Sequence, residues 1–177
     1  MFAKNTFYAT QKSWGANCVV EIDESLFAKA KPGPGRPVPQ LWVFGGYEPA
    51  TKKGFLVTVP RRDAGTLLPV IQQWIRPGTT VHSDQWGAYN QLANIGYAHG
   101  TVNHTLHFVD PNTGVTTNRV ESMWQRAKAK FKAAMGPTNR NMIGDYFVEF
   151  IWGQRFGKQH AFYNICSHIS EQYPVLQ

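Results

Sequence analysis

Three strand-like runs crowd the first third of the chain before the pattern turns to alternating helix and strand, and that order constrains the fold more than any other feature. CVVEIDESLF (18–27) opens on β-branched residues and then alternates, with Glu21, Asp23 and Ser25 on one side and Val20, Ile22 and Glu24 on the other. QLWVFGGYE (40–48) and KKGFLVTVP (52–60) follow, set apart by the basic loop KAKPGPGRPVP (29–39), whose prolines bar it from a sheet interior, and by a turn at 49–51. Joined so closely, the three predict an antiparallel meander. Asp63 then caps an apolar-periodic helix, with Leu67, Leu68, Val70, Ile71, Trp74 and Ile75, that stops before Pro77 and Gly78.

TTVHSD (79–84) reads as a fourth strand, QWGAYNQLANIG (85–96) as a short helix closed by Gly96, and YAHGTVNH (97–104) as a fifth strand. A helix within TTNRVESMWQRAKAKF (116–131) runs on to Gly136 and Pro137. Another, over 140–156, is apolar nearly all round and is expected to be buried. The tail 158–177 holds a weaker helix about HAFYNICSHI. Strands first and alternating units afterwards predict an α/β fold: a mixed sheet, antiparallel at one edge and parallel at its centre, with helices on its faces.

In such a sheet the first and fourth strands lie side by side, which brings Asp23 and Asp84 to adjacent strand positions. Two carboxylates there repel unless a cation holds them, and acids buried in apolar strands are costly when neither paired nor metal-bound. Asp84 ends its strand, where open sheets place ligand sites, although taken singly it also suits a cap for the segment that follows. Oxygen ligands of this kind suit Mg²⁺ or Mn²⁺, and paired ions of that type serve in-line phosphoryl transfer. On the later helix, at about 100° per residue, Val120, Trp124, Ala127 and Phe131 form an apolar stripe with Glu121 and Lys128 at its border. Those two stand seven apart, so they are not the neighbours that an i,i+4 salt bridge needs. A carboxylate facing metal and a lysine facing phosphate account for both. Asn118 lies at the helix start, where its amide can cap or ligate.

The net charge of +7, with Arg126, Lys128 and Lys130 on this one helix and Arg36 in the Pro/Gly loop, favours a polyanionic partner. No run approaches the roughly 20 apolar residues that span a bilayer, and the start of the chain lacks the order of a secretory signal, so an intracellular location is the expectation. Cys18 and Cys166 have no partner at metal-ligand spacing and are read as buried thiols. Trp86 and Trp124 are read as core or site-wall residues rather than base-stacking platforms.

VEIDES, LWVFGGYE, HSDQWGAYN, VNHTLHFVDPNTG, TNRVESMWQRAK and FIWGQRF, in that order across residues 19–156, resemble the ISXO-like insertion-sequence transposases, the group that includes the Merlin elements. The resemblance implies a ribonuclease-H-like domain over 19–157, preceded by a short lead (1–18). It implies a DDE-type acidic triad that uses two Mg²⁺ or Mn²⁺ ions to cut and rejoin double-stranded DNA, in an assembly of more than one copy. Asp23 and Asp84 match its first two acids. The third place is asparagine in some groups and glutamate in others, and this chain offers Asn118 and Glu121, with 33 and 36 residues intervening after Asp84. The helix geometry ranks Glu121 ahead. Lys128 matches the basic residue after the third ligand and, with Arg36, Arg126 and Lys130, is expected to meet the DNA backbone. His104 sits in the VNH motif as a possible assistant.

Family members commonly carry a zinc-binding and helix-turn-helix region ahead of this domain. Here 22 residues precede Asp23 without a Cys/His cluster, so recognition of DNA ends is expected to come from elsewhere. Two other readings remain open: a DNA-binding protein that has lost the chemistry, and a ribonuclease-H-like nuclease that cuts without joining.

Overall fold

The computed structural model describes residues 14–29, 40–103, 106–135 and 142–173. Five strands form one sheet: β1 (Val19–Ala28), β2 (Leu41–Glu48), β3 (Lys53–Val59), β4 (Thr80–Asp84) and β5 (Ala98–Val102), in the order β3-β2-β1-β4-β5. β1 pairs antiparallel with β2 and β2 antiparallel with β3, while β1–β4 and β4–β5 are parallel. The meander is therefore the antiparallel edge, and β1 is the strand on which pairing changes direction.

Each face of the sheet has its own core. On one side Val20, Ile22, Phe44 and Phe55 pack under Leu67, Ile71 and Ile75, carried on and just past α1 (Ala64–Trp74). As the sequence predicts, Asp63 caps this helix by accepting the Thr66 amide at 2.9 Å. On the other side Val43 and Leu56 meet Val120, Met123, Trp124 and Ala127 of α2 (Asn118–Met135), together with Ile143, Phe147 and Phe150 of α3 (Ile143–Phe156). Gly45 makes the close approach of α2 possible: a Cβ there would stand 2.7 Å from the Trp124 ring and 2.9 Å from Leu56.

Three expectations are corrected. The segment 85–96 is not an α-helix but two 3₁₀ turns, Gly87–Tyr89 and Ala93–Ile95, the second closed by Gly96 at φ 93°. Glycine and asparagine inside this stretch compete poorly for a continuous helix. α3 is not buried all round, because only its Ile143–Phe147–Phe150 stripe is enclosed. Its Trp152 and Phe156 meet His168 of the C-terminal helix α4 (Ala161–Gln172), which bears out the helical reading of the tail. The cysteines are not buried thiols: Cys18 is half-buried and Cys166 is exposed on α4. No helix among the described residues is long and apolar enough to cross a membrane.

Candidate active site

β1 and β4 run in register from Val19 opposite Thr80 to Glu21 opposite His82. Asp23 and Asp84 each lie two residues past the last paired position, near enough for the Asp84 charge to act on Asp23. Alternation turns the side chains of Glu21 and Asp23 towards α2, while Val20, Ile22 and Glu24 serve the α1 side.

Asp23 is held from two directions. Its Oδ1 accepts the Glu24 amide at 2.8 Å, and its Oδ2 accepts the Trp124 indole N–H at 3.1 Å. Burial, and then the charges of Glu24, Asp84 and Glu121, push its carboxyl up to about 7, with the Glu24 amide opposing them. Asp84, as its capping potential suggests, accepts the Trp86 amide on Oδ1 at 3.0 Å. Glu121, one turn before Trp124 on α2, is half-buried and accepts the Thr117 hydroxyl on Oε1 at 3.2 Å.

Glu21 fixes the helix that carries Glu121. It is 2% exposed, and its Oε2 accepts the backbone amides of Arg119 (2.8 Å) and Val120 (3.0 Å), donors that the first turn of α2 leaves unpaired. Burial raises the Glu21 carboxyl, partly offset by those two amides and by the Arg119 charge. Asn118 opens α2, its own amide donating to the Thr116 hydroxyl at 3.2 Å. The cap of this helix is therefore a tertiary one, supplied by Glu21.

On the opposite face Glu24 takes the Tyr89 hydroxyl on Oε1 and the Arg62 guanidinium on Oε2, at 3.1 Å. Burial raises its pKa, and Tyr89 and Arg62 lower it. Arg62 lies between two indoles, with its Cζ 4.5 Å from the centre of the Trp42 ring and 4.9 Å from that of Trp86.

The remaining candidates separate. Lys128 is exposed, and its ammonium lies 5.7 Å above the Phe27 ring. Arg126 is exposed on the same helix. Lys130 is engaged with Glu149 of α3 at 2.8 Å, so its charge is partly answered within the protein. Trp124 is a core residue as expected, but Trp86 is 43% exposed. Arg36 and His104 lie outside the described residues. Reasoning from sequence missed the parts of Glu21, Glu24 and the Trp124 N–H. An acid alternating with Asp23 in an apolar strand was the available signal for Glu21, but the amides it serves lie 98 and 99 residues away.

Asp23, Asp84 and Glu121 offer only oxygen donors, and both of the other carboxylates raise the proton affinity of Asp23. That donor chemistry fits a hard divalent cation, which would relieve the repulsion. As the side chains stand, no three His, Cys, Asp or Glu among the described residues are grouped closely enough to hold a metal ion.

Comparison with known proteins gives a consistent picture. Over 76 residues the chain is 30% identical to the "Uncharacterized transposase-like protein" of Haemophilus influenzae, a match covering 43% of this chain and 60% of that relative. Among solved structures, the catalytic core domain of BIV integrase superposes with a TM-score of 0.52 at 13% identity, covering 88% of this chain and 97% of that one. The simian T-cell lymphotropic virus intasome in complex with PP2A regulatory subunit B56 gamma gives 0.50 at 12% identity, covering 78% and 48%. At such identities the likeness is one of fold, and with the observed strand order it makes the sheet ribonuclease-H-like. The family model described as the ISXO2-like transposase domain matches residues 19–154, and the chain belongs to that family.

Proposed function

We infer that this domain is a polynucleotidyl transferase of the DDE type, cutting and rejoining double-stranded DNA with Asp23, Asp84 and Glu121 as its acids. The observation that carries the reading is the electrostatic meeting of these three residues: Asp23 and Asp84 come from parallel neighbouring strands, Glu121 from a helix fixed over them, and the charges of Asp84 and Glu121 both act on the Asp23 carboxyl. Family membership and the integrase-core fold support the same class of chemistry. Two Mg²⁺ or Mn²⁺ ions bound by these acids would supply activation of the attacking oxygen and charge neutralisation at the phosphate.

The chain's own groups do the positioning. Trp124 orients Asp23 through Oδ2, and Glu21 holds the first turn of α2 so that Glu121 faces the strand ends. Lys128 stands two helical turns beyond Glu121, roughly 10 Å along the axis, where its ammonium can receive a backbone phosphate without reading sequence. Arg126 and Arg36 serve as further phosphate contacts, and Lys130 does so only by giving up Glu149. Glu121 ranks ahead of Asn118 as third ligand because it stands one turn before Trp124, whose indole N–H bonds Asp23, while Asn118 lies at the start of the helix. An assembly of more than one copy on DNA, as the family resemblance implies, belongs to the same reading.

The test is cleavage and joining of labelled duplex DNA carrying candidate terminal repeats, with Mg²⁺ or Mn²⁺. Asp23→Ala, Asp84→Ala and Glu121→Ala are expected to lose at least about a hundred-fold in rate, and Asn118→Ala much less. A rate insensitive to both aspartate substitutions would sink the reading. Cutting without joining would recast the domain as a nuclease.

A further inference from the structure

Trp86 is an exposed indole in a fixed position beside an acid of the site. Its backbone amide donates to Asp84 Oδ1 at 3.0 Å, and its ring N–H donates to the Arg62 carbonyl oxygen at 2.9 Å. One ring face is taken by the Arg62 guanidinium, 4.9 Å from the ring centre. Arg62 is itself anchored by the buried carboxylate of Glu24 at 3.1 Å and backed by Trp42. The edge nitrogen and one face are thus engaged, yet 43% of the residue remains open to solvent. A large aromatic this exposed normally waits for a partner or packs loosely; this one is immobilised by two hydrogen bonds and a cation.

We propose that the free face of Trp86 stacks on an unpaired base of the DNA strand whose backbone lies at Asp84. The inference rests on the reading that DNA is cut at these acids, and it names the form of DNA the site holds. A base inside a duplex has both faces covered by its neighbours, so an indole fixed in the wall of the site can stack on a base that has left the helix or on the last pair of a duplex end, and the two are told apart by comparing a single strand with a blunt duplex. Arg62 behind the ring, through its pairing with Glu24, offsets one of the carboxylates that otherwise repel the strand. Stacking of this kind is tolerant of sequence, because every base offers a π face.

The test uses the whole chain in a chelating buffer, so that neither metal nor strand cutting enters the result. The probes are a fluorescein-labelled oligothymidylate of about ten nucleotides and a blunt duplex of similar length, both followed by anisotropy. Trp86→Ala is expected to weaken oligothymidylate binding roughly ten-fold and duplex binding much less, with Trp86→Phe keeping most of the affinity. Tryptophan fluorescence should be quenched by the oligothymidylate in wild type, and the quenched fraction should shrink in Trp86→Phe. Unchanged affinity in Trp86→Ala, or equal loss for both probes, overturns the proposal. Should Trp86→Ala fail to fold by circular dichroism, undiminished quenching in Trp86→Phe overturns it as well. A separate nicking assay of wild type with Mg²⁺ on duplex DNA tests the cutting reading alone, so the two failures are told apart.

Discussion

A proton on Asp23 is retained up to about pH 7 because burial, and then the charges of Glu24, Asp84 and Glu121, disfavour the anion. A carboxyl whose pKa is raised by folding contributes stability below its ordinary value near 4 and loses that contribution as pH climbs towards 7. Glu21 and Glu24 are shifted in the same direction. The cation-free protein is therefore expected to lose a few kcal/mol between about pH 4 and 7, measured by denaturant unfolding in a chelating buffer. Asp23→Asn should shrink that pH dependence, and an unchanged profile would mean that Asp23 titrates like a solvent-exposed acid. Trp124→Phe keeps the aromatic packing but removes the N–H that favours the Asp23 anion. It should raise the Asp23 midpoint further in a carboxyl NMR titration and destabilise the fold by about 1–2 kcal/mol at pH 8. A midpoint that falls would show that the indole bond is not what holds the anion.

At the scale of elements, α2 is the part whose placement decides the site, and Glu21 is what places it. Glu21→Ala frees two amides in a buried helix turn and should cost about 2–3 kcal/mol. Hydrogen exchange at Arg119 and Val120 should quicken more than at Ala127, and DNA cleavage should fall although Glu21 is assigned no contact with substrate. Exchange that quickens evenly along α2 would count against a local cap. The elements themselves were legible where a single period ran through them: β1 to β5, α1 and α2 follow from alternation, caps and breakers. The stretch 85–96 was not, since its apolar residues fit a helix while Gly87, Asn90 and Asn94 break it into turns. Asp23, Asp84 and Glu121 stood out as acids in apolar settings. The part of Glu24 on the other face of the sheet, reaching Tyr89 and Arg62 65 and 38 residues away, depends on strand order and alternation together, which no local pattern displays.

For the whole molecule, the charge of +7 is spread unevenly, and α2 carries Arg126 and Lys128 exposed on one helix. If Lys128 meets a single phosphate, Lys128→Ala should reduce the slope of log affinity against log salt by about 1 on duplex DNA, uniformly across sequences. Lys130→Ala should change the slope less, because Glu149 already answers that charge. Equal slopes for wild type and Lys128→Ala would remove Lys128 from the interface.

The tie between Glu21 and α2 also bears on how the chain comes to its native state. Its partners stand 98 and 99 residues apart in sequence, a closure that must be completed before either gains anything from the contact. As synthesis proceeds from the amino terminus, β1 emerges with three acids and waits through five further elements and two turns for the helix that answers Glu21. Chains interrupted before residue 118 lack α2, so the sheet face that bears Glu21 and Asp23 is left without the helix that covers it and without the amides and indole N–H that it supplies. The proposed site is thus completed late in synthesis, when α2 brings Glu121 and the Trp124 N–H onto the sheet.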